Sequence, residues 1–259
     1  MSEDTVAVTI GVSQIDEILG GGLRRGTTCL LEELGGESSG VTGIAGMAFL
    51  YEGIKRGDGS IVLLSEHTVH EYRNLPGTKR LLPIVKPGQF IFMDALTSMT
   101  FGEPTIDPKS LGEGVVQCTN VRYTAKFYEE LRKIVNSFER PLLYIDSLSV
   151  LLHAMESDDV AWRFWLSLLP MIRNRNITVV ASFYPEMHSH RFVESIERIC
   201  DTIMQFTASV PTPGKENVRF IRVIKNRGLS FDGSIYPYTL NHFKLQLKKG
   251  TRKTKGQST

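Results

Sequence analysis

Nine of the 23 glycines fall between Gly20 and Gly46. Glycine at that density suits a loop whose backbone N–H groups must close around a phosphate. A loop of the G-x-x-x-x-G-K-[ST] type also needs a lysine for the β/γ charge and a hydroxyl for Mg²⁺. Residues 32–46 read EELGGESSGVTGIAG and contain no lysine. Glu32, Glu33 and Glu37 bring negative charge into the same segment. The absent charge-assisted contact alone costs a phosphate ligand about 1.5–3 kcal/mol, and carboxylates nearby add to that cost.

Other residues have chemistry to offer. Pro141-Leu-Leu-Tyr-Ile-Asp146 places a carboxylate at the end of an apolar run, where it caps the following turn in any α/β sheet. Glu66 follows a similar run, Ser60-Ile-Val-Leu-Leu-Ser65, and reads in the first place as an exposed strand-end acid. His67-x-x-His70-Glu71 and Glu186-Met-His-Ser-His190 invite a metal. HxxHE is not HExxH, and spacing supplies no third ligand, so these histidines read as solvent-facing loop residues. Ser147 and Ser149 have no base in sight in the sequence. Trp162-Arg-Phe-Trp165 reads as core rather than as a ligand cage.

Strand-like and helical runs alternate along the chain. Strands are expected at 27–31, 60–65, 89–93, 141–146, 177–182, 201–206, 218–224 and 239–247, and helices at 44–55, 122–138, 160–173 and 191–200. That order indicates a parallel sheet covered on both faces. The late strands come without helices between them and predict an antiparallel extension at one edge. Two stretches, 101–115 and 210–217, read as surface loops. No linker or repeat divides the chain, so residues 1–247 form one domain and residues 248–259 a basic, disordered tail.

Composition bounds the rest. With 41% hydrophobic and 22% charged residues, the chain is neither disordered nor collagen-like. Cys29, Cys118 and Cys200 lie too far apart for a CxxC site and fit a reducing cytoplasm. No apolar run approaches the roughly 18 residues of a membrane span, and the acidic Met1-Ser-Glu-Asp start is unlike a signal peptide. The net charge of +2 conceals an asymmetry: six basic residues from Lys244 to Lys255 sit on a body of −4. Such a tail gives weak, salt-sensitive contact with nucleic acid at most, and a solubility role is the plainer reading.

Gly11-Val-Ser-Gln-Ile-Asp-Glu-Ile-Leu-Gly-Gly-Gly-Leu-Arg-Arg-Gly26 followed by Leu30-Leu31 resembles the entry into the RecA-like ATPase domain of the KaiC and RadA families. Phe49-Leu-Tyr-Glu-Gly-Ile-Lys-Arg-Gly57 is similar to the P-loop helix and its exit. Leu142-Leu-Tyr-Ile-Asp-Ser-Leu-Ser149 resembles the Walker B strand, and Val223-Ile-Lys-Asn-Arg-Gly228 with Tyr236-Pro-Tyr238 the late K-x-R-G and Y-P-F segments. The likeness runs over about residues 8–247.

The resemblance implies an α/β, RecA-like P-loop NTPase fold, and it assigns roles. The nucleotide would lie on Gly36, Ser38, Ser39, Gly40, Thr42 and Gly43, in a degenerate Walker A loop. Counting from Leu30-Leu31 puts Ser39-Gly40 at the Lys-Thr pair; counting back from Phe49-Leu50 puts Thr42-Gly43 there. Asp146 would hold Mg²⁺. Glu66, with Ser65 where the family often has a second glutamate, would be a vestigial base. Lys225 and Arg227 would reach a neighbouring subunit's nucleotide as a trans finger; alternation puts both on one strand face with Asn226 opposite. ATP and Mg²⁺ are the implied cofactors, though the residues present require neither. The glycines either keep an anion nest without lysine or are a flexible relic, which the nearby glutamates favour.

The expectation that follows is a pseudo-ATPase, acting as a regulatory or assembly subunit, homo-oligomeric or in a heteromer with an active KaiC/RadA-like paralogue. The alternatives are an ATPase with a lysine-free P-loop and a single-stranded DNA-binding recombinase paralogue.

Overall fold

The structure, a computed structural model, describes residues 7–35, 40–101, 114–209, 218–241 and 244–248. Ten strands among them form one sheet. They are β1 (Thr28–Leu34), β2 (Gly59–Leu64), β3 (Phe90–Asp94), β4 (Val115–Gln117), β5 (Pro141–Asp146), β6 (Thr178–Phe183), β7 (Thr202–Ala208), β8 (Arg219–Asn226), β9 (Tyr236–Asn241) and β10 (Lys244–Leu247). Their spatial order is β10-β9-β8-β7-β1-β6-β5-β2-β3-β4. From β7 to β4 every pairing is parallel; β8, β9 and β10 are antiparallel. The expected α/β class and its antiparallel edge are both present.

The central strands β2, β5 and β6 are buried along their whole length, which is why they read as unbroken apolar runs. Helices cover both faces. On one lie α1 (Ser13–Ile18), α2 (Val41–Arg56), α3 (Val69–Asn74) and α4 (Pro76–Leu81), over a layer that includes Phe49, Leu50, Tyr72 and Tyr144. On the other lie α6 (Thr124–Asn136), α7 (Leu148–His153), α8 (Asp158–Asn174) and α9 (His190–Ile199), around Phe127, Leu131, Trp165 and Ile196. The short α5 (Leu96–Phe101) follows β3.

Local chemistry starts these helices. The Ser157 hydroxyl accepts from Val160 N at 3.3 Å, and Asp158 and Asp159 occupy the first turn of α8, where negative charge is favoured. Thr68 and Glu71 form a reciprocal capping box on α3. Phe127, Leu131 and Val135 face the core from α6 at a spacing of four, as the periodicity predicts. Trp165 is fully buried and Phe164 nearly so, in line with a core reading of that segment.

Helix α2 lies unusually close to β5. A Cβ on Gly46 would sit 2.3 Å from the Tyr144 ring, and one on Gly53 would sit 2.1 Å from Leu142 Cδ1. Only glycine permits that approach, and it fixes the distance between α2 and the sheet end where Asp146 lies.

Three expectations need correction or placement. The segment 239–247 is two strands, β9 and β10, paired antiparallel with Lys244 opposite Asn241. Residues 102–113 and 210–217, covering most of the expected surface loops, lie outside the described residues, as does the tail beyond Lys248. The three cysteines are buried and free. No helix among the described residues is long and apolar enough to cross a membrane.

Candidate functional site

Parallel strands bring their C-terminal ends to one edge of the sheet, and the candidate residues gather there. Strand alternation turns Glu32 and Glu33 to opposite faces. Glu33, 8% exposed, points toward the start of α2. Its Oε1 accepts from the Thr42 hydroxyl at 2.7 Å and from Thr42 N at 3.3 Å. A carboxylate of this chain therefore occupies the first turn of α2, the position where a helix N-terminus favours an anion. Gly40 precedes α2 with φ 67°, and a Cβ on Gly43 would meet nothing within 4 Å.

Glu32 does not join this site, contrary to the expectation from sequence. It points to the face covered by α9 and accepts from Gln205 Nε2 at 3.0 Å. Burial and the neighbouring Glu197 carboxylate push it up to about 7. Gly36, Ser38 and Ser39, with Glu37, lie outside the described residues.

Asp146 ends β5 and is 3% exposed. Its Oδ1 accepts from Tyr144 OH and from Ser182 Oγ, each at 3.3 Å. Its Oδ2 meets His67 Nδ1 at 3.2 Å. That hydrogen bond lifts the His67 imidazole above its ordinary 6.5, against the opposing effect of partial burial. The Asp146 carbonyl accepts from Ser65 N at 2.8 Å and Glu66 N at 3.2 Å, and the Asp146–Ser147 peptide bond is cis. Ser147 caps α7 through Val150 N at 3.2 Å, while Ser149 Oγ accepts from Tyr184 N at 2.8 Å. Both serines have structural work rather than a base beside them.

Glu66 is exposed and accepts from Tyr184 OH at 3.0 Å. Burial raises the Tyr184 phenol, and the Glu66 and Glu33 carboxylates add to that. Thr42, Gly43, His67, Asp146 and Tyr184 all border one cleft of about 980 Å³, which continues along Met47 and Tyr51 of α2 to Leu245 and Leu247 of β10.

Lys225 and Arg227 are elsewhere. Strand β8 runs against β7, so its end lies beside Thr202 and Ile203 at the opposite edge of the sheet. Six or seven residues of strand separate the two edges, about 20 Å. Lys225 Nζ donates to the carbonyls of Glu197 at 2.8 Å and Arg198 at 3.0 Å. Arg227 Nη2 donates to the Arg198 carbonyl at 3.1 Å, and its Nη1 lies 3.3 Å from Asp201 Oδ1. Both cations close the C-terminus of α9. Asn226 points the other way, to Leu19 O and Thr202 Oγ1.

Two groups were not legible as site residues. His67, read as a solvent-facing loop histidine, is half-buried on Asp146; the available signal was its place just past β2, next to the strand that ends in Asp146. Tyr184 stands in the same relation to β6. His188 also departs from the solvent-facing reading, stacking at 5.2 Å on Phe183 and tilting at 5.0 Å on Phe192, whereas His70 and His190 are exposed. Among the described residues no group of three or more His, Cys, Asp or Glu is placed to hold a metal ion.

Among the described residues, the polar groups at the head of α2 and at the end of β5 are already paired within the chain. The Thr42 hydroxyl donates to Glu33, and Asp146 is paired with the His67 imidazole.

A mostly parallel sheet, a helix that follows β1 and is preceded by Gly40, and an aspartate ending β5 fit a RecA-like P-loop NTPase domain. The family model described as "ATPase: KaiC" matches residues 8–248, and the chain belongs to the KaiC ATPase family. Its fold is similar to the crystal structure of a KaiC-like protein from the hyperthermophilic archaeon Pyrococcus horikoshii OT3. The TM-score is 0.69 at 16% identity, over 94% of this chain and 99% of that one. Among curated proteins, none matches the chain.

Proposed function

We propose that this chain is a pseudo-ATPase of the KaiC family, a regulatory or assembly subunit whose nucleotide chemistry is impaired. One observation carries the reading: the cleft supplies its own counter-ions. The Glu33 carboxylate sits on Thr42 at the head of α2, and the His67 imidazole sits on Asp146. An incoming phosphate would have to displace a carboxylate, and residues 32–46 offer no lysine to attract it; the cations bordering the cleft, Arg80 and Lys244, come from α4 and β10 instead. An incoming divalent cation would have to displace a histidine. Each exchange gives up a contact already made, so the family's usual ligand gains little here.

The trans role of Lys225 and Arg227 is part of the same proposal. They stand at the edge of the sheet away from this chain's own cleft, so a nucleotide they touch belongs to another subunit. The partner is a second copy or, more in keeping with an impaired cleft, an active paralogue. Within the chain they hold the end of α9, so any such contact adds to a structural duty.

The test is titration of the full chain with ATP, with and without Mg²⁺. No Mg²⁺-dependent thermal shift at millimolar ATP is expected, and no hydrolysis above background. A clear Mg²⁺-dependent shift with turnover would instead mark an ATPase with a lysine-free P-loop. The subunit role is read separately, by native pull-down and by the partner's ATPase rate with the Lys225→Gln, Arg227→Gln double variant. An unchanged partner rate would remove the trans finger from the proposal.

A further inference from the structure

A second charged cluster lies at the opposite end of α2. Asp58 follows that helix in the turn before β2, and its side chain is 0% exposed. Three guanidinium groups surround it. Arg25 Nη2 is 2.8 Å from Oδ1, Arg56 Nε is 3.1 Å from Oδ2, and Arg140 Nε is 3.5 Å from Oδ1. Arg56 also lies within electrostatic reach of the Asp16 carboxylate, so Arg140 is the cation of the group with the weakest compensation. The Arg25 and Arg56 side chains are only 17% and 29% exposed. Arg25 Nη1 and Arg56 Nη2 are buried without a hydrogen-bond partner among the described residues. The two shielded arginines share Asp58 and Asp16, and the charge left to meet an anion from solvent is that of Arg140.

Beside the cluster is a hollow of about 310 Å³ lined by Lys86, Gly88, Phe138, Glu139 and Arg140. Arg140 has the longest of the three contacts and is 54% exposed, so its guanidinium is the one free to take a second anion. Lys86 adds a point charge. Glu139 is the only acid among the described residues of the lining and leaves the cluster positive overall.

We propose that this hollow is a binding site for a small phosphate-bearing anion, held by Arg140 and Lys86 with the Arg25–Asp58–Arg56 group behind them. Arginine matches phosphate oxygens in a fork, and lysine supplies charge without fixed geometry. A volume near the lower end of small-molecule sites, about 300–1,000 Å³, favours a compact anion over a nucleic-acid strand. The site is independent of the Thr42–Asp146 cleft. The 16 residues of α2 keep the two about 24 Å apart at 1.5 Å per residue. The competing account is that the cations only offset the C-terminal dipoles of α2 and α6, which requires no anion.

The experiment uses the full chain in phosphate and pyrophosphate against chloride at matched ionic strength. Thermal shift is read together with amide NMR shifts. The expected result is saturable stabilisation by the phosphates, with shifts centred on residues 57–59, 86–88 and 137–140. Arg140→Gln with Lys86→Gln, two exposed positions, should weaken binding at least tenfold. Arg140→Lys should retain part of it. No effect beyond chloride overturns the proposal, and so do shifts centred on Thr42 and His67, or a double variant that binds as well as the parent. Binding of single-stranded nucleic acid without any response to free phosphate also overturns it. If the double variant fails to fold, Lys86→Gln alone carries the comparison, because Lys86 makes none of the Asp58 contacts.

Discussion

Glu33, Glu32 and His67 each turn a local contact into a measurable property. Removing the Glu33 carboxylate leaves Thr42 N and its hydroxyl without that acceptor. Glu33→Ala is expected to cost about 1 kcal/mol, as loss of a helix cap does, and to lower Tm by about 2–4 °C in a chain of this size. Thermal denaturation checks it.

Glu32 works in the other direction. Its carboxyl is raised from an ordinary 4.5 to about 7 by burial and by Glu197, so the folded chain holds a proton that the unfolded chain releases earlier. The contribution of Glu32 to stability is therefore greatest below about 4.5 and falls as pH rises toward 7. Gln205, Arg222 and Glu197 are the polar groups around it. Glu32→Gln should flatten that slope, read from denaturant midpoints across the pH range.

For His67 the sign is the same for the opposite charge type. Its folded pKa is raised, so the contact with Asp146 contributes below 6.5 and is lost as pH rises through the folded value. NMR titration should place the His67 ring above 6.5, and Asp146→Asn should bring it back down. These three roles were beyond the sequence, because a strand's alternation shows which face a residue takes but not which donor waits there.

At the scale of elements, the glycines of α2 separate into two kinds. Gly46 faces Tyr144 with no room for a methyl group, while Gly43 faces open space. Gly46→Ala should destabilise the chain by about 1–3 kcal/mol through overpacking. Gly43→Ala should stabilise it by up to about 1 kcal/mol through helix propensity. Chemical denaturation of the pair separates close packing from a loop requirement, which the glycine count alone merges.

The elements legible in the sequence were those with a long signal. The buried runs of β2, β5 and β6 and the spacing of α6 and α8 lie within a few residues of expectation. Helices α3, α4, α5 and α7 have six residues each, less than two turns, and leave no periodic trace. The β9–β10 break carries neither glycine nor proline and reads as continuous strand. The absence of lysine from residues 32–46 was legible, but the contacts of Glu33 with Thr42 and of His67 with Asp146 become visible only when strand ends converge.

For the whole molecule, a helix-covered sheet with the cleft at one edge and Lys225 and Arg227 at the other bears on the proposed assembly. The proposal of a heteromeric role predicts co-purification with a KaiC-like paralogue under native conditions, identified by mass spectrometry. A chain that purifies only alone and monomeric would count against it. Lys225 and Arg227 also hold the last carbonyls of α9, so replacing both should speed amide exchange in residues 196–200 even when the chain is alone. That local effect provides the baseline against which any change in a partner's rate is judged.

The opposed acids of β1 also bear on how the chain finds its fold. Cys29, Leu30 and Leu31 are apolar on both faces, so burial alone hardly distinguishes the correct alignment of β1 from one displaced by a residue. The glutamates do distinguish it. Only one alignment gives Glu32 the Gln205 amide and Glu33 the Thr42 hydroxyl. A displaced strand would carry both carboxylates past their donors at once. The two acids thus act as a proofreading mark for β1, a use in folding that does not depend on whether the cleft holds a nucleotide.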